Sequence, residues 1–167
     1  MHDKLTESDI KKMEEEIEYR RVTLRPQLLE HVKTARAHGD LSENFEYKAA
    51  KQDKNRNDSR IRYLERMIRS AVIIDDSSKE DEVGINNTVT VVFDGEDEEE
   101  KYKIVTTVRS NSLKGLISIE SPLGKALMHH KVGDKVHVTV DEKIEYDVVI
   151  RYIDKTTDDS EDELQAY

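Results

Sequence analysis

Cysteine and tryptophan are absent, and only two prolines, two phenylalanines and six glycines occur in 167 residues. Without cysteine the chain holds neither a disulfide framework nor a thiolate-ligated zinc or iron–sulfur site, which suits a reducing compartment. No apolar run approaches the ~20 residues that cross a bilayer, and Met1-His2-Asp3-Lys4 carries no apolar stretch of a secretion signal. The expectation is a soluble, cytoplasmic protein with no membrane partner. Hydrophobic residues make up 35% of the chain against 38% charged, so one core cannot enclose most of it.

The charge that is present is unevenly placed. The net charge is −10, yet residues 1–76 hold 16 basic and 16 acidic side chains, leaving 11 and 21 for residues 77–167. From Arg20 to Arg69 there are 13 basic and 7 acidic residues, so the neutral half conceals a basic shaft. Local fields act at a contact, so overall acidity does not exclude a polyanionic partner.

Two helical patterns flank Gly39-Asp40-Leu41-Ser42-Glu43-Asn44. Ile10, Met13, Ile17, Leu24 and Leu28 recur at helical spacing and predict a helix from about Asp9 to His38, capped by Thr6 or Ser8 and bent by Pro26. Ala49, Ala50, Ile61, Leu64, Met67, Ile68 and Ala71 predict a second helix from about Glu43 to Ile73, with Gly39 stopping the first. Each arm would run roughly 45 Å. Joined by so short a turn, the arms must pack antiparallel, as a coiled-coil finger over residues 1–76 with a thin apolar seam toward its tip. A helical hairpin folded back on the rest of the chain is the alternative.

Residues 77–83 are polar and read as a linker. Beyond them the period falls to two, at Val89-Val91-Phe93, Tyr102-Ile104, 116–120, Val136-Val138-Val140 and Tyr146-Val148-Ile150-Tyr152. Asp94-Gly95 marks a hairpin turn, and Ser121-Pro122 opens a short capped helix. Residues 84–155 therefore form a small antiparallel sheet with a helix, and acidic residues 156–167 read as a disordered tail. The fold class is α+β.

Asp40 and Glu43 are the candidate chemical groups. Their spacing also fits a capping box, with Ser42 competing as the cap, and two carboxylates alone make a weak Mg²⁺ site because that ion takes six oxygens. Arg36, Lys48, Lys51, Lys54 and Arg56 lie near the tip, where they either contact nucleic-acid phosphates or form a solvated face. Phe45 either plugs the hairpin or offers a stacking surface. The six histidines show no metal-ligand spacing, and no phosphate loop, nucleophile elbow or Ser/His/Asp arrangement is visible. The chain does not read as a self-contained enzyme.

Leu5-Thr6, Arg25-Pro26, the block from Ala35 to Asn44, Glu46-Tyr47, Ala49-Ala50-Lys51 and Ile61 resemble the N-terminal coiled coil of the bacterial transcript-cleavage factors GreA and GreB. Val72-Ile73-Ile74-Asp75, Ser118, the block from Ser121 to Leu127, Val132-Gly133-Asp134 and Val136 resemble their C-terminal FKBP-like domain. The resemblance implies a monomeric transcription elongation factor that enters the secondary channel of bacterial RNA polymerase and stimulates cleavage of backtracked RNA. Asp40 and Glu43 would be the catalytic pair, helping the polymerase hold a second Mg²⁺ and orient water. Arg36, Ser42, Asn44, Lys48 and Lys51 would contact the polymerase or the nascent RNA 3′ end, and Ser121, Pro122, Leu123 and Gly124 would dock on the polymerase. Asp9, Phe45, His129-His130 and Asp141-Glu142-Lys143 depart from the family pattern, which leaves open a related factor that occupies the channel without promoting cleavage. A peptidyl-prolyl isomerase is suggested only by the FKBP-like resemblance, and no aromatic pocket supports it.

Overall fold

The computed structural model describes residues 3–39 and 44–166. Contacts divide the chain into two units: Met1–Asp3 with Ile10–Ala71, and Lys4–Asp9 with Val72–Tyr167. The expected boundary after Asp76 thus falls at Ala71/Val72, and the segment 77–83 belongs to the second unit.

The first unit is a helical hairpin. One arm contains α1 (Glu7–Glu18, whose first turn lies in the other unit), a π-helical segment (Tyr19–Leu24) and α2 (Arg25–Ala37). The other arm is α3 (Phe45–Ser70), 26 residues or about 40 Å of helix. Pro26 explains the π segment. It has no N–H to donate, and its ring crowds the turn before it; the extra residue per turn is absorbed where Arg25 N–H donates to Arg20 O.

Met13, Ala35, Ala50, Ile61 and Leu64 are buried, whereas Ala49, expected on the inner face, is exposed. Charge also occupies the seam. Glu16 accepts from Arg20 at 2.7 Å and from Arg60 at 2.8 Å, and Arg20 donates to buried Asn57 at 3.0 Å. Asn57 in turn donates to the π-segment carbonyl of Arg20 at 3.1 Å. Arg20 is therefore a structural residue. Burial raises the Glu16 pKa, but its hydrogen bonds and charge pairing with Arg60 and Arg20 outweigh this and hold it below 4.5.

α3 ends at Ser70, short of the expected Ile73. Ala71 is extended, and β2 (Val72–Ile73) pairs in parallel with β1 (Lys4–Leu5) in the second unit. β-Branched residues favour this extended run.

The second unit is built on a five-stranded sheet in the order β5-β4-β3-β7-β6. Its strands are β3 (Thr88–Phe93), β4 (Glu99–Val105), β5 (Leu116–Ser118), β6 (Lys135–Thr139) and β7 (Glu145–Asp154). The sheet is mixed, not antiparallel throughout. β4 and β5 pair in parallel because their connection reverses direction through two 3₁₀ turns, Thr107–Arg109 and Ser112–Lys114. Val89, Val91, Ile104, Val136, Val138, Val148 and Ile150 fill one face, where Leu123 and Leu127 of α4 (Pro122–Leu127) join them. Part of the supposed linker is fixed here: Lys155 Nζ donates to Ser78 Oγ at 2.6 Å and to Glu82 O at 2.7 Å, and Val83 is in the core.

A buried charge cluster lies beside this sheet. Asp9 Oδ1 accepts from Arg109 Nε at 2.5 Å, and both side chains are fully enclosed. Asp9 also completes a capping box with Thr6: Thr6 N–H donates to Asp9 Oδ2 at 2.9 Å, and Asp9 N–H donates to Thr6 Oγ1 at 3.2 Å. Segment 156–166, expected to be disordered, lies along this unit, with Asp162 Oδ2 2.8 Å from Arg109 Nη1 and 2.9 Å from Lys103 Nζ.

Candidate functional site

The hairpin end is where the sequence concentrates its candidate chemistry. α2 stops at Ala37; His38 caps it, and Gly39 follows with φ +139°, a backbone geometry that side chains disfavour. Among the described residues no neighbour lies within 4 Å of a Cβ built there, so it is the backbone conformation that calls for glycine.

α3 begins at Phe45, with Asn44 as its cap. Asn44 Oδ1 accepts from Tyr47 N–H at 3.0 Å, and its Nδ2 donates to Ala35 O at 3.0 Å and to Gly39 O. One amide therefore satisfies an orphan donor at the start of one helix and ties it to carbonyls at and just past the end of the other. Ala35 and Ala50 are both fully buried near this end, so small residues line the seam where its apolar content thins.

Asp40, Ser42 and Glu43 lie outside the described residues. The N-cap of α3 is Asn44. Asn44, expected to meet RNA or polymerase, makes its side-chain hydrogen bonds within the hairpin.

Phe45 does not plug the hairpin: it is 76% exposed, with Lys48 Nζ 5.6 Å from its ring centroid. Arg36, Lys48 and Lys51 are exposed around the same end. Lys54 and Arg56 are salt-bridged along α3, to Asp58 at 3.1 Å and to Asp53 at 3.8 Å, as expected of a solvated face.

The proposed docking residues divide by burial. Ser121 caps α4, its Oγ accepting from Gly124 N–H at 3.1 Å and donating to Ser118 O at 2.6 Å. Pro122 is exposed and Ser121 half-buried, but Leu123 is 8% exposed and belongs to the core. Gly124 is buried, and a Cβ there would stand 2.0 Å from Ser118 O. Ser121 and Pro122 can meet a partner, whereas Leu123 and Gly124 shape the loop from inside.

Both units match known families. Residues 4–73 match the family described as "Transcription elongation factor, N-terminal", and residues 78–154 match "Transcription elongation factor, GreA/GreB, C-term". The chain belongs to the GreA/GreB family of transcription elongation factors. Transcription elongation factor GreA of Streptococcus pneumoniae is 42% identical over 154 residues, covering 91% of this chain and 95% of that protein. GreA of Macrococcus caseolyticus is 44% identical over 134 residues, covering 80% and 85%. Among solved structures, the GreA factor homolog Gfh1 of Thermus thermophilus aligns over 92% of this chain and 99% of its own, with a TM-score of 0.42 and 26% identity.

This GreA/GreB-family chain holds structural residues that the sequence did not single out, namely Glu16, Arg60, Arg109 and Asp162. Asp9, noted as the helix start and as a departure from the family pattern, also had a readable capping signal as the fourth residue of Thr6-Glu7-Ser8-Asp9.

Proposed function

We propose that this protein is a GreA-type elongation factor that enters the secondary channel of bacterial RNA polymerase and stimulates hydrolysis of nascent RNA in backtracked complexes. The observation that carries the reading is the Asn44 cap. It takes the start of α3 at the end of a long hairpin, one residue after Glu43 and four after Asp40 in sequence. The two carboxylates are oxygen donors of the kind Mg²⁺ takes, but too few to hold it alone.

In this reading Asp40 and Glu43 would hold a Mg²⁺ together with polymerase groups. When bound, that ion polarises the phosphodiester and lowers the pKa of attacking water. The chain's remaining task is positioning. Asn44 fixes the two helix ends next to the acids, Arg36, Lys48 and Lys51 offer charge to the RNA backbone, and Ser121 and Pro122 meet the polymerase. Catalysis belongs to the polymerase active site, with this chain as its accessory.

Titration of the protein into a defined backtracked complex tests the reading, with RNA length as the readout. Shortened RNA that regains extension supports it. Slowed elongation without shortened RNA supports the alternative, a channel-blocking factor.

A further inference from the structure

Family similarity extends to residue 154, and the acidic residues beyond it lie on a groove of the second unit. Glu163, Leu164 and Gln165 line one cavity together with Leu116, Ile117 and Ser121. Gln165 N–H donates to Val108 O at 2.6 Å, and its side-chain Nε2 to Ser110 Oγ at 3.2 Å. Upstream, Lys103 Nζ donates to Asp158 O at 2.7 Å. Asp162 is the anchor: its side chain is 8% exposed and bonded to both Arg109 and Lys103. The groove thus holds the extended segment by a backbone acceptor, a serine hydroxyl and two cations.

We propose that this groove is a binding surface for an extended acidic peptide, that the chain's own segment 158–166 is its resident occupant, and that this occupancy competes with docking through Ser121. The docking clause rests on the polymerase-binding reading; the peptide-binding clause does not.

Release of the segment leaves the unit's charge balance workable. Arg109 keeps Asp9 as its carboxylate after Asp162 departs, and Asp9 keeps its bonds to Thr6 N–H and to Thr106 Oγ1, the latter at 2.7 Å. The segment itself favours exchange. Asp158, Asp159, Glu161, Asp162 and Glu163 crowd like charge into a stretch with no regular secondary structure, and salt screens the pairs that hold it. Ser121, the cap of α4, borders the same cavity as residues 163–166, so a partner that reaches Ser121 through that cavity meets the segment.

The test compares the full chain with one lacking residues 157–167. A fluorescent peptide of residues 156–167 should bind the truncated chain saturably and the full chain at least about tenfold more weakly, because a competent fraction near one tenth weakens apparent affinity by about that factor. The same peptide with Asp162→Asn should bind the truncated chain less tightly, and added salt should weaken the parent peptide. The truncated chain should also bind RNA polymerase about tenfold more tightly than the full chain, for the same reason. Asp162→Lys in the full chain, which sets a third cation beside Arg109 and Lys103, should reproduce that gain if truncation impairs folding. Equal, salt-insensitive or absent peptide binding would overturn the groove assignment. Peptide binding with unchanged polymerase affinity in both variants would overturn the competition. If the full chain and both variants fail to bind polymerase, the functional reading and the competition fall together, while the peptide result still decides the groove.

Discussion

At the scale of single residues, the hairpin depends on polar side chains placed where apolar ones would be expected. Glu16 illustrates the energetics. Arg60 is buried and donates two bonds to this carboxylate, at 2.8 and 3.3 Å, so Glu16→Gln should cost about 2 kcal/mol, the scale of hydrogen bonds to charged groups. The folded pKa of Glu16 lies below 4.5, so its contribution is complete above that pH and is lost as pH falls through the lower folded value. Thermal unfolding of the wild type and Glu16→Gln should therefore differ at neutral pH and converge in acid. Asn44→Ala should cost about 1–2 kcal/mol locally, by loss of the cap. Amide exchange at Tyr47 should quicken in that variant; unchanged exchange with weakened polymerase binding would instead make Asn44 a contact residue.

At the scale of elements, what could be read from the sequence depended on whether the signal was local. The strands were legible because burial on one face imposes a period of two, and α4 because Ser121-Pro122 places a cap and a preset φ in adjacent positions. The start of α3 was not: Asp40, Ser42 and Asn44 have comparable intrinsic merit as caps, and bonds from Asn44 to the opposite arm distinguish it. Nor were the charge clusters, because a lone Arg60 or Arg109 in sequence carries no mark of its distant carboxylate. The parallel β4–β5 pair was equally hidden, since it follows from how the 3₁₀ turns route the chain. Among the candidate docking residues, burial divides what the motif treated alike. Gly124→Ala should cost about 2 kcal/mol through overpacking against Ser118 O, visible as a lowered Tm. A fully stable Gly124→Ala variant would show that the α4 loop yields where the packing says it cannot.

For the whole molecule, the charge division gives each unit its own electrostatic character. The hairpin unit carries the basic shaft with carboxylates at its turn, and the acidic excess of the chain falls after residue 76. Such a distribution suits a protein that brings acids to a polyanion without being repelled along its shaft, since screened fields act over roughly 10 Å. The central claim is that Asp40 and Glu43 complete an active site belonging to another protein. The most direct measurement is the single-turnover rate of RNA cleavage in a defined backtracked complex, with the wild type and with Asp40→Ala/Glu43→Ala, each at a concentration shown by competition to saturate the polymerase. The account predicts that the double variant binds as the wild type does and leaves the RNA at its original length; wild-type cleavage by the double variant would contradict it.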